Sequence, residues 1–218
     1  MKRMICIAMA VAFSLSMSAC TSANGFSNEK IRYKMTVTVE TPEGIKTGYA
    51  VREASRYTEP SILPDQGGAF YNITKGEAVV VDLEQRGVLF VLLGGEWEAK
   101  IVFKALATST KADMQDLEPL MKKWGTPRFV YFKDINDPKT VSGANYRDLE
   151  RDFGAGVFLK QITTEIVKEP INLGIVDKFL PWLSERSKLR GSIGSAPETP
   201  FQDPTGLWIK PFEFKKDK

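Results

Sequence analysis

The chain contains no histidine, and that absence removes a whole tier of chemistry. Ser-His-Asp and Cys-His nucleophilic machinery, His-ligated zinc and a histidine general base are all excluded. Cysteine is nearly as scarce, with Cys6 and Cys20 the two in the chain, so zinc-thiolate and haem-thiolate sites are excluded with it. What survives is carboxylate, lysine, serine, threonine or tyrosine chemistry, plus oxygen-ligated cations; no cofactor is expected. A surplus of one charge is also missing. The balance is 30 Lys+Arg against 27 Asp+Glu, which argues against nucleic acid as a partner. Long apolar runs are lacking too, since the uncharged stretch Met4 to Met17 is shorter than the roughly 20 residues a membrane span needs. With 43% hydrophobic and 26% charged residues among 218, the composition is that of an ordinary globular chain.

The first twenty residues have an organisation of their own. Met1-Lys2-Arg3 is a positive start, the uncharged run follows, and the small pair Ser18-Ala19 precedes Cys20; charges resume only at Glu29. That order reads as a cleavable export signal. Met17-Ser18-Ala19-Cys20 resembles the lipobox of bacterial lipoproteins, with Met17 where the family prefers Leu. The resemblance implies that Cys20 is diacylated and becomes the new N-terminus. Thr21 follows, where an Asp would imply retention at the inner membrane, so the implied address is the periplasmic leaflet of the outer membrane. Three acyl chains, as the family carries, hold stably, because each buried methylene contributes about 0.8 kcal/mol and a single chain binds only reversibly.

Cleavage before Cys20 removes Cys6 and leaves 218 − 19 = 199 residues with no possible internal disulfide. Stability then rests on a core, which a chain of this length is able to bury. The mature charge is 28 − 27 = +1 once Lys2 and Arg3 depart. The expected organisation is a signal peptide over 1–19, a lipidated cysteine and polar tether over 20–30, and one globular domain over 31–218.

From Ile31 the alternation is strict, with Ile31, Tyr33, Met35, Val37 and Val39 on one face, as in a half-buried strand. Thr41-Pro42-Glu43-Gly44 turns it into a hairpin. Further strands are expected near 69–73, 78–83, 88–93, 128–132 and 156–167. The run Val88 to Leu93 is apolar on both faces and so belongs at the centre of a sheet covered on both sides. One main helix is expected between Thr110 and Trp124, with Pro119 either kinking it or marking its first turn. A short helix near 145–153, helical turns near 172–191 and a closing strand through Trp208, Lys210, Phe212 and Phe214 complete the pattern. The fold class is α+β, β-rich and mostly antiparallel, with six to nine strands and one main helix and short ones packed on the sheet.

No catalytic constellation stands out. Asp134-Ile135-Asn136-Asp137 resembles the first half of a calcium loop, yet Lys139 occupies the place of the required Gly and no late Glu follows at the right distance; a turn is the simpler reading. Ser27 and Lys30 have the spacing of a serine-lysine pair without its partners, and Gly154-Ala155-Gly156 lacks the third glycine of a dinucleotide loop. Asn72-Ile73-Thr74 is a glycosylation sequon with no meaning behind such a leader. Glu84, Glu96, Glu98, Asp148 and Glu150 are the candidate acid-base carboxylates, and the sequence sets no two of them across a cleft. Glu96-Trp97-Glu98 draws interest because an aromatic between acids occurs in carbohydrate sites; a strand or loop with a half-buried Trp97 and two solvated acids is the plainer reading. Pro181-Trp182, with Lys178, Arg186, Lys188 and Arg190 nearby, makes either a partner-facing or membrane-facing surface or a core lid with solvated charges.

The body is loosely similar to uncharacterised proteobacterial lipoproteins, a likeness that implies no activity. The expected role is therefore a non-enzymatic accessory or binding module of the envelope, held to the membrane by its N-terminal lipid and serving a protein partner there. The competing readings are a carboxylate-dependent hydrolase of glycan or peptidoglycan, marked by two carboxyl groups about 5 to 10 Å apart across a groove, and a periplasmic immunity or inhibitor protein.

Overall fold

The alternating run from Ile31 belongs to a long antiparallel hairpin. In a computed structural model describing residues 27–59, 68–186 and 209–217, β1 (Ser27–Thr41) pairs antiparallel with β2 (Gly44–Glu59) in unbroken register from Ser27↔Thr58 to Thr41↔Gly44. The strand starts at Ser27, ahead of the alternation. Gly44 takes φ +123° to close the turn, a region that side chains other than glycine resist. The turn is clamped from outside, because Arg86 Nε and Nη2 each reach a Glu43 carboxylate oxygen at 2.9 Å. That bidentate guanidinium lowers the Glu43 pKa to about 2. A carboxyl-resolved NMR titration should find the Glu43 midpoint near that value, and Arg86→Ala should return it to the ordinary carboxylate range. An ordinary Glu43 midpoint in the unmodified protein would refute the clamp.

Two antiparallel sheets result. β3 (Gly68–Glu77) joins β2 on one side, and β9 (Phe158–Ile166) joins β1 on the other. The two-residue strands β6 (Lys111–Ala112) and β10 (Lys215–Lys216) complete the edges, giving the order β10-β3-β2-β1-β9-β6. The second sheet runs β4-β5-β7-β8, from β4 (Val79–Asp82), β5 (Val88–Val91), β7 (Phe129–Phe132) and β8 (Val141–Ala144). The α+β, β-rich, antiparallel class expected from the pattern is the one observed, with ten strands in two sheets among the described residues rather than six to nine in one.

The apolar run after Gly87 behaves as its composition demands. Leu89 and Val91 face one core with Val79 and Val81, while Phe90 and Leu92 face another with Val80, Val130 and Phe132. The first core is shared with Tyr33, Met35, Val37 and Val39 of the large sheet. The second is closed by short helices: Val176 of α4 (Ile175–Phe179), Leu183 of α5 (Leu183–Arg186) and Phe214 of α6 (Pro211–Phe214). Buried Glu77 fixes α4, its carboxylate accepting the backbone N–H groups of Gly174, Ile175 and Val176 at 2.9, 3.2 and 3.3 Å. Burial pushes the Glu77 pKa up in spite of those bonds.

Several local expectations change in three dimensions. The expected helix is present as α2 (Met114–Trp124), capped by Asp113, and it runs through Pro119 rather than starting there. A second helix of equal length, α1 (Gly95–Ala105), stands where a strand or loop was expected around 96–98. Only α3 (Glu150–Phe153) is helical within 145–153. The closing strand is instead a helical turn, α6, followed by β10: in a strand Phe212 and Phe214 would share a face, whereas Phe212 is 57% exposed and Phe214 fully buried. Pro211 at the helix start and the bond from Lys210 N–H to the Glu213 carboxylate at 2.9 Å favour that turn. Trp208 and residues 1–26, which include Cys20, the expected signal peptide and most of the expected tether, lie outside the described residues.

Candidate functional site

The most unusual chemistry lies inside the protein. Arg52 of β2 stands directly opposite Tyr33 of β1, on the face that packs into the core, and neither side chain is exposed. Arg52 Nη1 donates to Glu98 Oε1 at 2.6 Å, Nη2 to the Val91 carbonyl at 2.9 Å and Nε to the Glu77 carbonyl at 3.0 Å. The Tyr33 hydroxyl donates to the same Glu98 oxygen at 2.5 Å, and the Gly94 N–H donates to the other at 2.6 Å. Glu98 is thereby satisfied on both oxygens at the start of α1. Burial opposes the Arg52 charge, but the facing Glu98 and Tyr33 outweigh it and raise its pKa. Burial first, and then the adjacent Glu98, push the Tyr33 pKa well above that of an ordinary tyrosine. The arrangement therefore holds a charged arginine and a protonated tyrosine.

This cluster ties one strand pair of the large sheet to β5 and α1 and offers no room for a substrate. The space beside it, bounded by Met35, Trp97, Glu98, Leu117 and Thr164, is about 10 Å³, the size of a single water. Its role is structural: it sets where α1 crosses the sheet.

The candidate binding surface is outside. A groove of about 930 Å³ runs between α2 and the turn Asn145–Arg147, lined by Gln115, Glu118, Pro119, Lys122, Thr126 and Tyr146 among others. Its two walls are joined by an exposed ion pair, Arg147 Nη2 to Glu118 at 3.1 Å, of the kind that contributes about 1 kcal/mol or less. The Arg147 guanidinium lies 5.3 Å from the Tyr146 ring centre, and Tyr146 stacks on Phe129 at 5.6 Å. One wall is thus an aromatic-cationic stack rooted in the core, and the other is a helix face with Lys122. Glu118 is the one carboxylate among the described lining residues, so the groove has polar recognition groups and an aromatic surface but no acid-base pair.

The residues singled out from sequence are dispersed. Glu84 bonds Lys46 at 2.5 Å, Glu150 accepts the Gly156 N–H at 2.7 Å, Glu98 is in the buried cluster, and Glu96 and Asp148 are exposed. Glu96-Trp97-Glu98 is the first turn of α1. Of its two acids only Glu96 is solvated, and Trp97 is wedged over Gly94, where a Cβ would overlap the indole, and against Gly125. That is packing rather than a sugar platform.

Asp134 and Asp137 spend their oxygens on backbone N–H groups two residues on, at 3.0 and 2.9 Å, as turn residues do. No group of three or more metal-ligating side chains occurs among the described residues. Ser27 and Lys30 are on a strand, where residues three apart face opposite ways, and Lys30 instead pairs with Glu53 at 3.5 Å. Gly154 ends α3 and leads with Gly156 into β9, a helix-to-strand turn. Asn72 Oδ1 accepts from Lys216 at 3.4 Å.

Trp182 lies over the second core, its ring 5.6 Å from Phe132 and its N–H donating to the Ile135 carbonyl at 2.9 Å. Lys178 is exposed, whereas the Arg186 side chain, Lys188 and Arg190 lie outside the described residues.

Sequence reasoning missed Arg52 and Tyr33 as a charged core, because the apolar alternation of β2 sets Arg52 on its polar face. The apolar residues Ile45, Tyr49 and Val51 point to the other face of β2 as the buried one, whereas the hairpin register places Arg52 opposite Tyr33 on the core face and leaves Ile45 and Tyr49 exposed. The groove left no signal, because its walls come from segments about twenty residues apart that only the fold brings together. No helix of the described residues is long and apolar enough to cross a membrane. Compared with known proteins, no family model matches the chain, and neither does a curated protein or a solved structure.

Proposed function

We propose that this chain is a lipoprotein anchored in the periplasmic leaflet of the outer membrane, serving there as a non-enzymatic accessory or binding module of the cell envelope. The observation that carries the reading is the order of the first twenty residues, a positive start, an uncharged run and Met17-Ser18-Ala19-Cys20. The groove between α2 and Asn145–Arg147 supports it as a recognition surface, with arginine, lysine, asparagine and tyrosine side chains and a single carboxylate among its described lining residues.

Two measurements test the two halves of this reading. Metabolic acyl labelling should mark the wild-type chain and not Cys20→Ala; equal labelling of both would end the anchorage claim. In-cell photo-crosslinking from Gln115 and Lys122, on the groove wall, should capture one stoichiometric envelope protein from the anchored chain and much less from Cys20→Ala. Absence of any captured protein, with the chain abundant and membrane-bound, would end the accessory-module claim.

A further inference from the structure

We infer that the uncovered edge of β2, from Gly44 to Ala50, pairs antiparallel with the same edge of a second copy of this chain, about a twofold axis through Thr47. The surface is separate from the groove on α2, and the inference does not depend on the lipid anchor.

An open edge of defined length supplies the first argument. β3 pairs with β2 only from Glu53 onward, and the chain then turns into β4, which crosses beneath β2 at Gly48. Between the hairpin turn and Arg52, β2 therefore has β1 on one side and no strand on the other. The Val51 N–H points to that open side, where it donates to Asn172 Oδ1 at 2.6 Å. Backbone direction alternates along a strand, so Ile45, Thr47 and Tyr49 also send their N–H and C=O groups outward. Among the described residues nothing bonds to those groups. Thr47 is exposed, as are Ile45 at 51% and Tyr49 at 49%. Such an edge is a template for another strand.

Symmetry identifies the occupant. Thr47 is the midpoint of the stretch from Gly44 to Ala50. Pairing two copies there sets Thr47 against Thr47 and Ile45 against Tyr49 of the second copy, and each pair exchanges both of its outward hydrogen bonds. An axis at Tyr49 would run the second strand into Asn172, and one at Ile45 would set Thr47 against Glu43 in the turn. On the outer face each Tyr49 ring meets an Ile45, an aromatic beside a β-branched side chain, which is a favourable cross-strand pair. On the inner face Lys46 meets Gly48 of the second copy, and its ammonium is already held by Glu84, so no like charges are opposed. The opposite edge of the sheet lacks this fit. β6 covers one end of β9, and the β9 register against β1 shifts between Thr38 and Val39, an irregularity of the kind that blunts an edge.

The contact is short, so association is expected to depend on concentration. Sedimentation equilibrium of the full chain in mild detergent, from about 1 to about 500 μM, should show a reversible step from monomer to dimer. Thr47→Pro removes a donor that the monomer does not use, at an edge position where proline is tolerated. It should raise the dimer Kd about tenfold or more, because both copies lose the bond. Ile45→Lys should weaken the dimer as well, by placing a charge beside Tyr49 of the second copy. Urea unfolding of both variants should stay close to the wild type, which separates lost pairing from lost folding. In cells, a benzophenone amino acid in place of Thr47 should give a crosslinked band at twice the mass of the chain, and one in place of Gln161 on β9 should not. A chain that stays monomeric throughout the concentration range would overturn the inference, as would a dimer that neither variant weakens. A band from position 47 at any other mass would overturn it in favour of a strand from a different protein.

Discussion

Arg52→Leu is expected to destabilise the protein by about 3–5 kcal/mol, because it leaves the Glu98 carboxylate buried without its counter-charge. At 2% residual exposure, Glu98 has no route to water. The two remaining donors, the Tyr33 hydroxyl and the Gly94 N–H, cannot replace a guanidinium that also ties up the Val91 and Glu77 carbonyls. For a domain of this size each kcal/mol shifts the melting temperature by roughly 2–4 °C, so thermal unfolding should fall by roughly 6–20 °C.

The stronger test is the pair. Arg52→Leu combined with Glu98→Leu removes both charges, and the double variant should recover much of what the single loses, since well-packed apolar replacements of buried ion pairs are often neutral or stabilising. Urea unfolding of the two singles and the double closes a double-mutant cycle. Additive losses would show that the two side chains act independently, contrary to the hydrogen bond between them.

Gly48→Ala is expected to cost about 3 kcal/mol or more by overpacking. A Cβ at Gly48 would overlap the Val80 carbonyl oxygen and carbon, where β4 of the second sheet crosses β2 of the first. The obstacle is backbone, which cannot rotate away as a side-chain tip can. Gly44→Ala provides the contrast. Nothing lies within 4 Å of its Cβ direction, and its difficulty is φ alone, a strain of about 1–3 kcal/mol. Chemical denaturation of both variants separates steric from conformational cost. A Gly48→Ala protein as stable as the wild type would mean that the sheets do not approach so closely.

Much of the fold was legible because its signals are local and periodic. The alternation from Ile31 to Val39 names the buried face of β1, Pro42 to Gly44 names the turn, and the double-faced run after Gly87 required a second layer that α4, α5 and α6 supply. The helix α1 was not legible. Its residues Ile101, Val102 and Phe103 suit a strand as well as a helix, and only packing against β3 and the large sheet, with Glu98 fixed to Arg52, decides between them. The alternation of Trp208, Lys210, Phe212 and Phe214 misled for the same reason in reverse. A period of two over four residues is weak evidence, and Pro211 with the buried Phe214 carried the local choice.

The sequence by itself determined the absence of histidine chemistry from this chain, the β-rich class and the hairpin, since each follows from composition or from spacing along the chain. Only the tertiary structure decided that Glu98 is a core residue rather than an acid in a sugar site. It alone put Trp97 between Gly94 and Gly125, and the Asn145–Arg147 turn across a groove from α2. Those facts depend on which surfaces meet after the chain folds back on itself, and no short-range pattern encodes the distance between segments that are far apart in sequence.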